Sequence, residues 1–264
     1  MKTFALKGFF AIASVILLSN NGHTFQNLPV PEASTVSAVA ERSIEVEGVR
    51  NPEWKSYHLL FQGFDAFEKN RNLAPTAKLR FALRPLKDDL LMEGITLRVE
   101  SPELTMPIEL DEHHRFTLPH DQRLVDNGAE LIVNRKKNLM SIRPDIRTLG
   151  LPPNVRRLGD LRLECHVRWA IQKDELSFIK RNAFRMLGGP CKSATVKTFF
   201  FADDTLKNAW LSASDHKVQL TIAGNGKLYL PPLHDGSWDD DALIVLEFKN
   251  ADTPSNRVQN VPSS

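Results

Sequence analysis

"LRLECHVRW", residues 161–169, is the stretch on which the reading of the second half of the chain turns. Leu161, Leu163, Cys165, Val167 and Trp169 alternate with Arg162, Glu164, His166 and Arg168. Alternation of this kind belongs to a strand with one buried face, because successive strand side chains point to opposite sides. The pattern predicts a strand with Cys165 on its apolar side. His166 then points away from Cys165, which removes the two as a thiolate–imidazole pair.

The chain has two cysteines, and Cys191 follows the helix-ending "LGGP". An even cysteine count in an exported protein predicts a disulfide, here Cys165 to Cys191. Such a bridge closes a loop of about 27 residues and contributes roughly 3–4 kcal/mol in the chain-entropy account. Export is read from the N-terminus, where Lys2 and Lys7 flank the start of the apolar run "GFFAIASVILL" and polar "SNNGHT" follows. A basic start and a short apolar run make a secretory leader, expected over residues 1–22. The run has 11 residues, well short of the roughly 20 that a membrane-spanning helix needs. With no cysteine after it for a lipid anchor, the expected location is periplasmic or secreted.

Without Lys2 and Lys7 the chain keeps 32 basic residues against 32 acidic ones. That balance argues against nucleic acid or an anionic membrane as the main partner. Basic runs such as "NRKKN" at 134–138 and Arg156-Arg157 read as solvated turns. Hydrophobic content of 42% and charged content of 25% are ordinary for a globular protein.

Residues 23–50 carry Pro, Ser and Ala with few large apolar groups and read as a linker or loosely ordered mature N-terminus. A helix is expected from "NPEW", with Asn51 as its cap, Pro52 in its first turn, and a stripe of Trp54, Tyr57, Leu60, Phe61, Phe64 and Phe67. "AKLRFALRP", "ITLRVES", "MPIEL", "RFTLP", "AELIVNR" and "LMSIRP" then alternate with period two. In "QKDELSFIKRNAFRMLGGP", Leu176, Ile179, Ala183, Met186 and Leu187 recur at helical spacing, and Gly188-Gly189-Pro190 ends the helix. "VKTFFFA", "AWLSAS", "VQLTIA", "KLYLP" and "ALIVLEF" resume the strands, and 250–264 is a polar tail.

Two segments repeat one plan. "PIELDEHHRFTLPHDQRLVDNGAELIVN" (107–134) and "VQLTIAGNGKLYLPPLHDGSWDDDALIVLE" (218–247) each run strand, turn, strand ending in Leu-Pro, polar loop, and an Ala-led apolar strand. Leu118-Pro119 answers Leu230-Pro231, His120-Asp121 answers His234-Asp235, and Ile132-Val133 answers Ile244-Val245. The expected fold is mainly β, with two related antiparallel sandwich-like units spanning 51–150 and 194–249. One helix precedes the first unit, and 151–193 forms a strand–helix connector between them.

The loops of these segments hold the chemistry-bearing residues. His234, Asp235, Asp239, Asp240 and Asp241 crowd one loop, and "DEHH" at 111–114 lies near His120 and Asp121 in the other. A helix–loop–helix calcium site needs alternating carboxylates, a sixth-position glycine and a twelfth-position glutamate. Gly236 comes directly after Asp235, so that pattern fails. Asp239 and Asp241 face Val125 and Asn127 in the other segment, and "DEHH" faces "AGNG", which favours turns over ligands. No HExxH, GxxxxGK[ST] or GxSxG motif is present. No catalytic residue, metal ligand or cofactor is assigned.

The paired units ending "FTLP…AELIV" and "LYLP…ALIV" resemble small transthyretin-like or carboxypeptidase-regulatory-like sandwich modules. The run from Trp169 to Phe248, with its "KDELSF", "GGPC", "PPL" and "DALIVLEF", is similar to uncharacterised secreted proteins of Gram-negative bacteria. The first resemblance implies a fold and the second implies export; neither implies an activity. The leading expectation is a non-catalytic accessory or binding module. A metal-dependent hydrolase built from Glu112, His113, His120 and Asp121, with Asp235 and Asp239, needs the two loops to converge. A third expectation is an envelope-protein or glycan partner held by Trp210 and Trp238.

Overall fold

The computed structural model describes residues 49–249 apart from Asp88. The expected leader, most of the expected linker and the polar tail lie outside the described residues. Among those described, strands form four antiparallel sheets and four α-helices accompany them. No described helix is long and apolar enough to cross a membrane.

The first half opens with β1 (Pro52–Ser56) and α1 (Tyr57–Lys69). The helix therefore begins later than "NPEW" predicts: Asn51 takes a left-handed φ of 57° rather than a cap conformation, and Trp54 lies in β1. The expected stripe survives from Tyr57 onward, with Tyr57, Leu60 and Phe67 buried. Next come β2 (Ala77–Pro85), β3 (Leu97–Ser101), β4 (Leu104–Ile108), β5 (Arg115–Phe116), the short α2 (Gln122–Asp126), β6 (Glu130–Lys136) and β7 (Met140–Thr148). They form sheets in the orders β1-β6-β3-β4 and β5-β2-β7. These sheets and α1 enclose the first core, which includes Phe81, Val99, Leu131, Val133 and Ile146.

The second half contains β8 (Val155–Arg157), α3 (Leu158–Gln172), α4 (Phe178–Met186), β9 (Phe200–Phe201), β10 (Leu206–Ala213), β11 (His216–Gln219), β12 (Thr221–Ala223), β13 (Leu228–Leu230) and β14 (Leu243–Phe248). Its sheets run β11-β10-β14-β8 and β12-β13-β9. They surround a second core that includes Leu206, Leu211, Tyr229, Trp238, Ile244 and Leu246.

The expected strand over 161–169 is a helix, and the reason is geometric. Leu163, Val167 and Ile171 recur every fourth residue and belong to the first core. Leu161 and Cys165 belong to the second core, with Trp169 packed against it. Two residues along a helix is a turn of about 200°, so the two series face opposite sides. A helix buried between two cores thus shows apolar residues at alternate positions. On its first-core side α3 meets α1, where a Cβ on Gly63 would lie 2.8 Å from the Ile171 side chain.

Cys165 and Cys191 are joined by a disulfide with their Cα atoms 5.7 Å apart. The second expected helix forms as α4, but its stripe faces outward: Ile179 is 80% exposed and Met186 88%. The two similar segments differ in elements and in pairing: the first carries the helix α2 ahead of its last strand, whereas the second has no helix over 231–242 and places both β11 and β12 before β13. β12 pairs with β13, whereas β4 pairs with β3 and β5 with β2.

Candidate functional site

The acidic loop between β13 and β14 is organised by one residue of α3. Arg162 donates from Nε to the Leu233 carbonyl at 3.0 Å and from Nη1 to the Asp240 carboxylate at 2.6 Å. Its Nη2 donates to the carbonyls of Asp235 at 2.7 Å and Trp238 at 3.1 Å. Asp235 and Asp241 are engaged by their side chains and Asp239 by its backbone. Asp235 accepts from the amide and hydroxyl of Ser237, and those bonds hold its carboxyl below the ordinary range. Asp241 pairs with Arg157, and the Asp239 carbonyl accepts from the Ala242 amide. The Asp240 carbonyl takes the Gly159 amide at 2.9 Å, one of the donors left without partners at a helix start. The loop closes the N-terminus of α3 through backbone carbonyls, while the carboxylates of Asp240 and Asp241 meet Arg162 and Arg157.

The 111–121 loop has a similar explanation. The Asp111 carboxylate accepts the amides of His113 at 2.9 Å and Arg115 at 2.8 Å, and His114 turns the chain with φ 57°. Asp121 caps α2 through the Arg123 amide and pairs with the Arg123 guanidinium, which together lower its pKa. His120 lies against Phe61 and Phe64 at ring separations of 4.5 and 4.9 Å. Glu112 lies 3.6 Å from His113. Among the described residues no group of three or more His, Cys, Asp and Glu is placed to hold a metal ion. Glu112, His113, His120, Asp121, Asp235 and Asp239 are therefore not assembled into one centre. Both cysteines are consumed by the disulfide, and no described serine or threonine hydroxyl bonds an imidazole.

A buried ionic network is the feature the sequence did not announce. Asp145 in β7 accepts from Arg115 Nε at 2.6 Å and Arg147 Nε at 2.9 Å. The same two arginines reach Asp203, at 2.7 and 2.9 Å, and Arg84 joins them at 3.0 Å. Burial alone would raise both carboxyls, but Arg147 with Arg156 and Arg115 holds Asp145 far below the usual range, and Arg147, Arg115 and Arg84 lower Asp203. Arg156 donates to Glu164 of α3 at 2.9 Å and to the Ile146 carbonyl at 2.8 Å. Burial raises the Glu164 carboxyl despite that partner. The network joins β7 of the first half to α3 and β8 of the second.

A cleft of about 400 Å³ opens between the 216–223 strand segment and residues 190–198. His216, Gln219, Thr221 and His234 supply its polar wall, with Val218 and Pro231 as apolar lining. Trp238 forms one side, 6% exposed and stacked on the His216 ring at 4.7 Å. Burial of Trp238 withdraws the best platform for a sugar ring, and the Lys217 ammonium covers the ring of Trp210 at 4.6 Å. Within the cleft wall, β11 and β12 are each the outermost strand of their sheet. Comparison with known proteins gives no match: no family model, no curated protein and no solved structure is similar to this chain.

Proposed function

We propose that the protein is an exported, non-catalytic binding module that holds an extended polypeptide segment in the cleft beside β11 and β12. The observation that carries this reading is that one continuous segment, 216–223, forms the outer edge of two sheets along one cleft. An outermost strand presents unpaired amides and carbonyls to which an extended chain adds as a further strand. The volume of the cleft falls in the range of ordinary ligand sites.

The engagement of the acidic and histidine loops in internal bonds supports a binding role over hydrolysis. The basic and apolar leader, together with the disulfide, supports export.

The test uses the mature protein produced by periplasmic export, with a phage-displayed library of random peptides as probe. Ala194 lines the cleft and is exposed, so Ala194→Trp fills the space without entering a core. The expected result is enriched peptides that bind the wild type and lose about tenfold or more in affinity for the variant, about 1.4 kcal/mol. Absence of enrichment, or peptides indifferent to Ala194→Trp, would refute the reading.

A further inference from the structure

We propose that α4 and the chain that follows it form a docking surface for an anionic lipid bilayer. This reading does not depend on the peptide reading of the cleft, although the chain after α4, Lys197 included, also lines that cleft.

Phe178, Ile179, Met186 and Leu187 are 70%, 80%, 88% and 47% exposed, on a helix and cap of ten residues. At 100° per residue, Phe178, Ile179, Ala183, Met186 and Leu187 fall within one half of the helix circumference. Phe184 points the other way and packs edge-on against Trp169 of α3, with ring centroids 5.3 Å apart. Arg181 is tied to Asp174 at 2.8 Å, and the Cys165–Cys191 disulfide fastens the chain just after the helix. The apolar face is outward because the opposite face is anchored.

The segment that carries this face has fixed charge of one sign, although Asp174, just before it, pairs with Arg181. Residues 176–202 contain no Asp or Glu and five cations: Lys180, Arg181, Arg185, Lys192 and Lys197. Apart from Arg181, none of the five has a carboxylate within 4 Å among the described residues. The near-neutral total charge averages over this segregation, since the surplus of acid lies elsewhere on the chain. An apolar helical face flanked by cations fits the boundary between headgroups and acyl chains. Apolar side chains enter that boundary while lysine and arginine stems extend back to lipid phosphates.

A protruding face favours lipid over a protein partner. These side chains stand out from the surface, so a protein would need a matching recess, whereas a fluid bilayer takes their shape. The helix is about 14 Å long at 1.5 Å per residue, far too short to span a membrane. It lies in the plane of the interface.

The experiment is co-flotation of the full mature chain with vesicles of equimolar phosphatidylcholine and phosphatidylglycerol, beside vesicles of phosphatidylcholine alone. The expected result is partition onto the mixed vesicles only, weakened by salt as a contact among exposed charges must be. The double variant Ile179→Glu/Met186→Glu lowers that partition about tenfold or more. Both positions are so exposed that the melting temperature serves as the control for folding. Lys180→Gln/Arg185→Gln reduces binding and its salt dependence while leaving the apolar face intact. No partition onto mixed vesicles, or partition unchanged in Ile179→Glu/Met186→Glu, would overturn the proposal. Self-association in solution that the same variant abolishes, without vesicle binding, would assign the face to a second copy of the chain instead.

Discussion

Arg162 Nη1 lies 2.6 Å from the Asp240 carboxylate, and the other nitrogens of the same guanidinium hold three carbonyls of the 233–240 loop. Side chain and loop are more than seventy residues apart, so this one group fixes a long connection. Arg162→Ala removes all four bonds and is expected to cost about 2–4 kcal/mol. Arg162→Lys restores the charge without the fork and recovers only part of the loss. Urea midpoints of the three proteins measure the effect. Amide exchange should quicken at Ser237 and Ala242 in Arg162→Ala, and an unchanged midpoint would show that the loop holds itself.

Why the sequence revealed some of this and hid the rest is clearest in α3. Strand positions such as Leu97, Val99, Leu131 and Val133 could be read because β3 and β6 bury one face, and alternation reports one face faithfully. Alternation also arises from a helix buried on opposite sides, and nothing local to 161–169 separates the two cases. The α4 stripe was legible as a helix, but periodicity is blind to whether an apolar face meets a core or the outside. The network around Asp145 was invisible for a third reason. Arg115, Asp145 and Arg147 lie on strands and Asp203 in the bend after β9, in stretches far apart in sequence, and only the tertiary fold brings them together.

Gly159 tests the contact between α3 and the acidic loop. A Cβ there would lie 2.2 Å from the Leu73 carbonyl oxygen and 2.9 Å from the Cβ of Asp240. The carbonyl belongs to the backbone and cannot swing away, so Gly159→Ala is expected to cost about 3 kcal/mol or more. At Gly63 the nearest atoms are the end of the Ile171 side chain, at 2.8 and 2.9 Å. That end can rotate, and Gly63→Ala should cost about 1 kcal/mol, offset by alanine's better helix propensity. Equal destabilisation by the two variants would contradict the geometry.

The Asp145 network sets the response to acid. Asp145 and Asp203 both have folded pKa values below their unfolded ones. Each contributes stability that is fully present above the unfolded value of about 4 and is lost as pH falls through the folded value. Glu164, raised by burial, has the opposite sign and partly offsets this slope. The urea midpoint should therefore fall as pH drops from about 5 to 2. Asp145→Asn should flatten that fall and cost about 3–5 kcal/mol at neutral pH, because Arg115 loses the charge of its most buried partner. If the slope in the variant matches the wild type, other carboxylates govern the acid response.

The disulfide acts on the same segment that carries the exposed helix. Cys165 lies in the second core, and Cys191 comes five residues after the end of α4, so the bridge returns the chain to α3 after a separation of 26 residues. Between the two cysteines, α4 touches the body mainly through Phe184 on Trp169 and Arg181 on Asp174. The first is one aromatic contact, and the second is a surface ion pair worth under about 1 kcal/mol. Cys165→Ala/Cys191→Ala is expected to lower global stability by about 3–4 kcal/mol in the chain-entropy account. It should also loosen the segment locally. Gly188 and Gly189 adopt left-handed φ values of 79° and 85° with open space around them, so a protease meets little obstruction there once the anchor is gone. Limited proteolysis under native conditions should cut the variant between α4 and β9 well before the sheets are attacked. A cleavage pattern identical to the wild type would mean that Phe184 and Arg181 alone hold the helix in place.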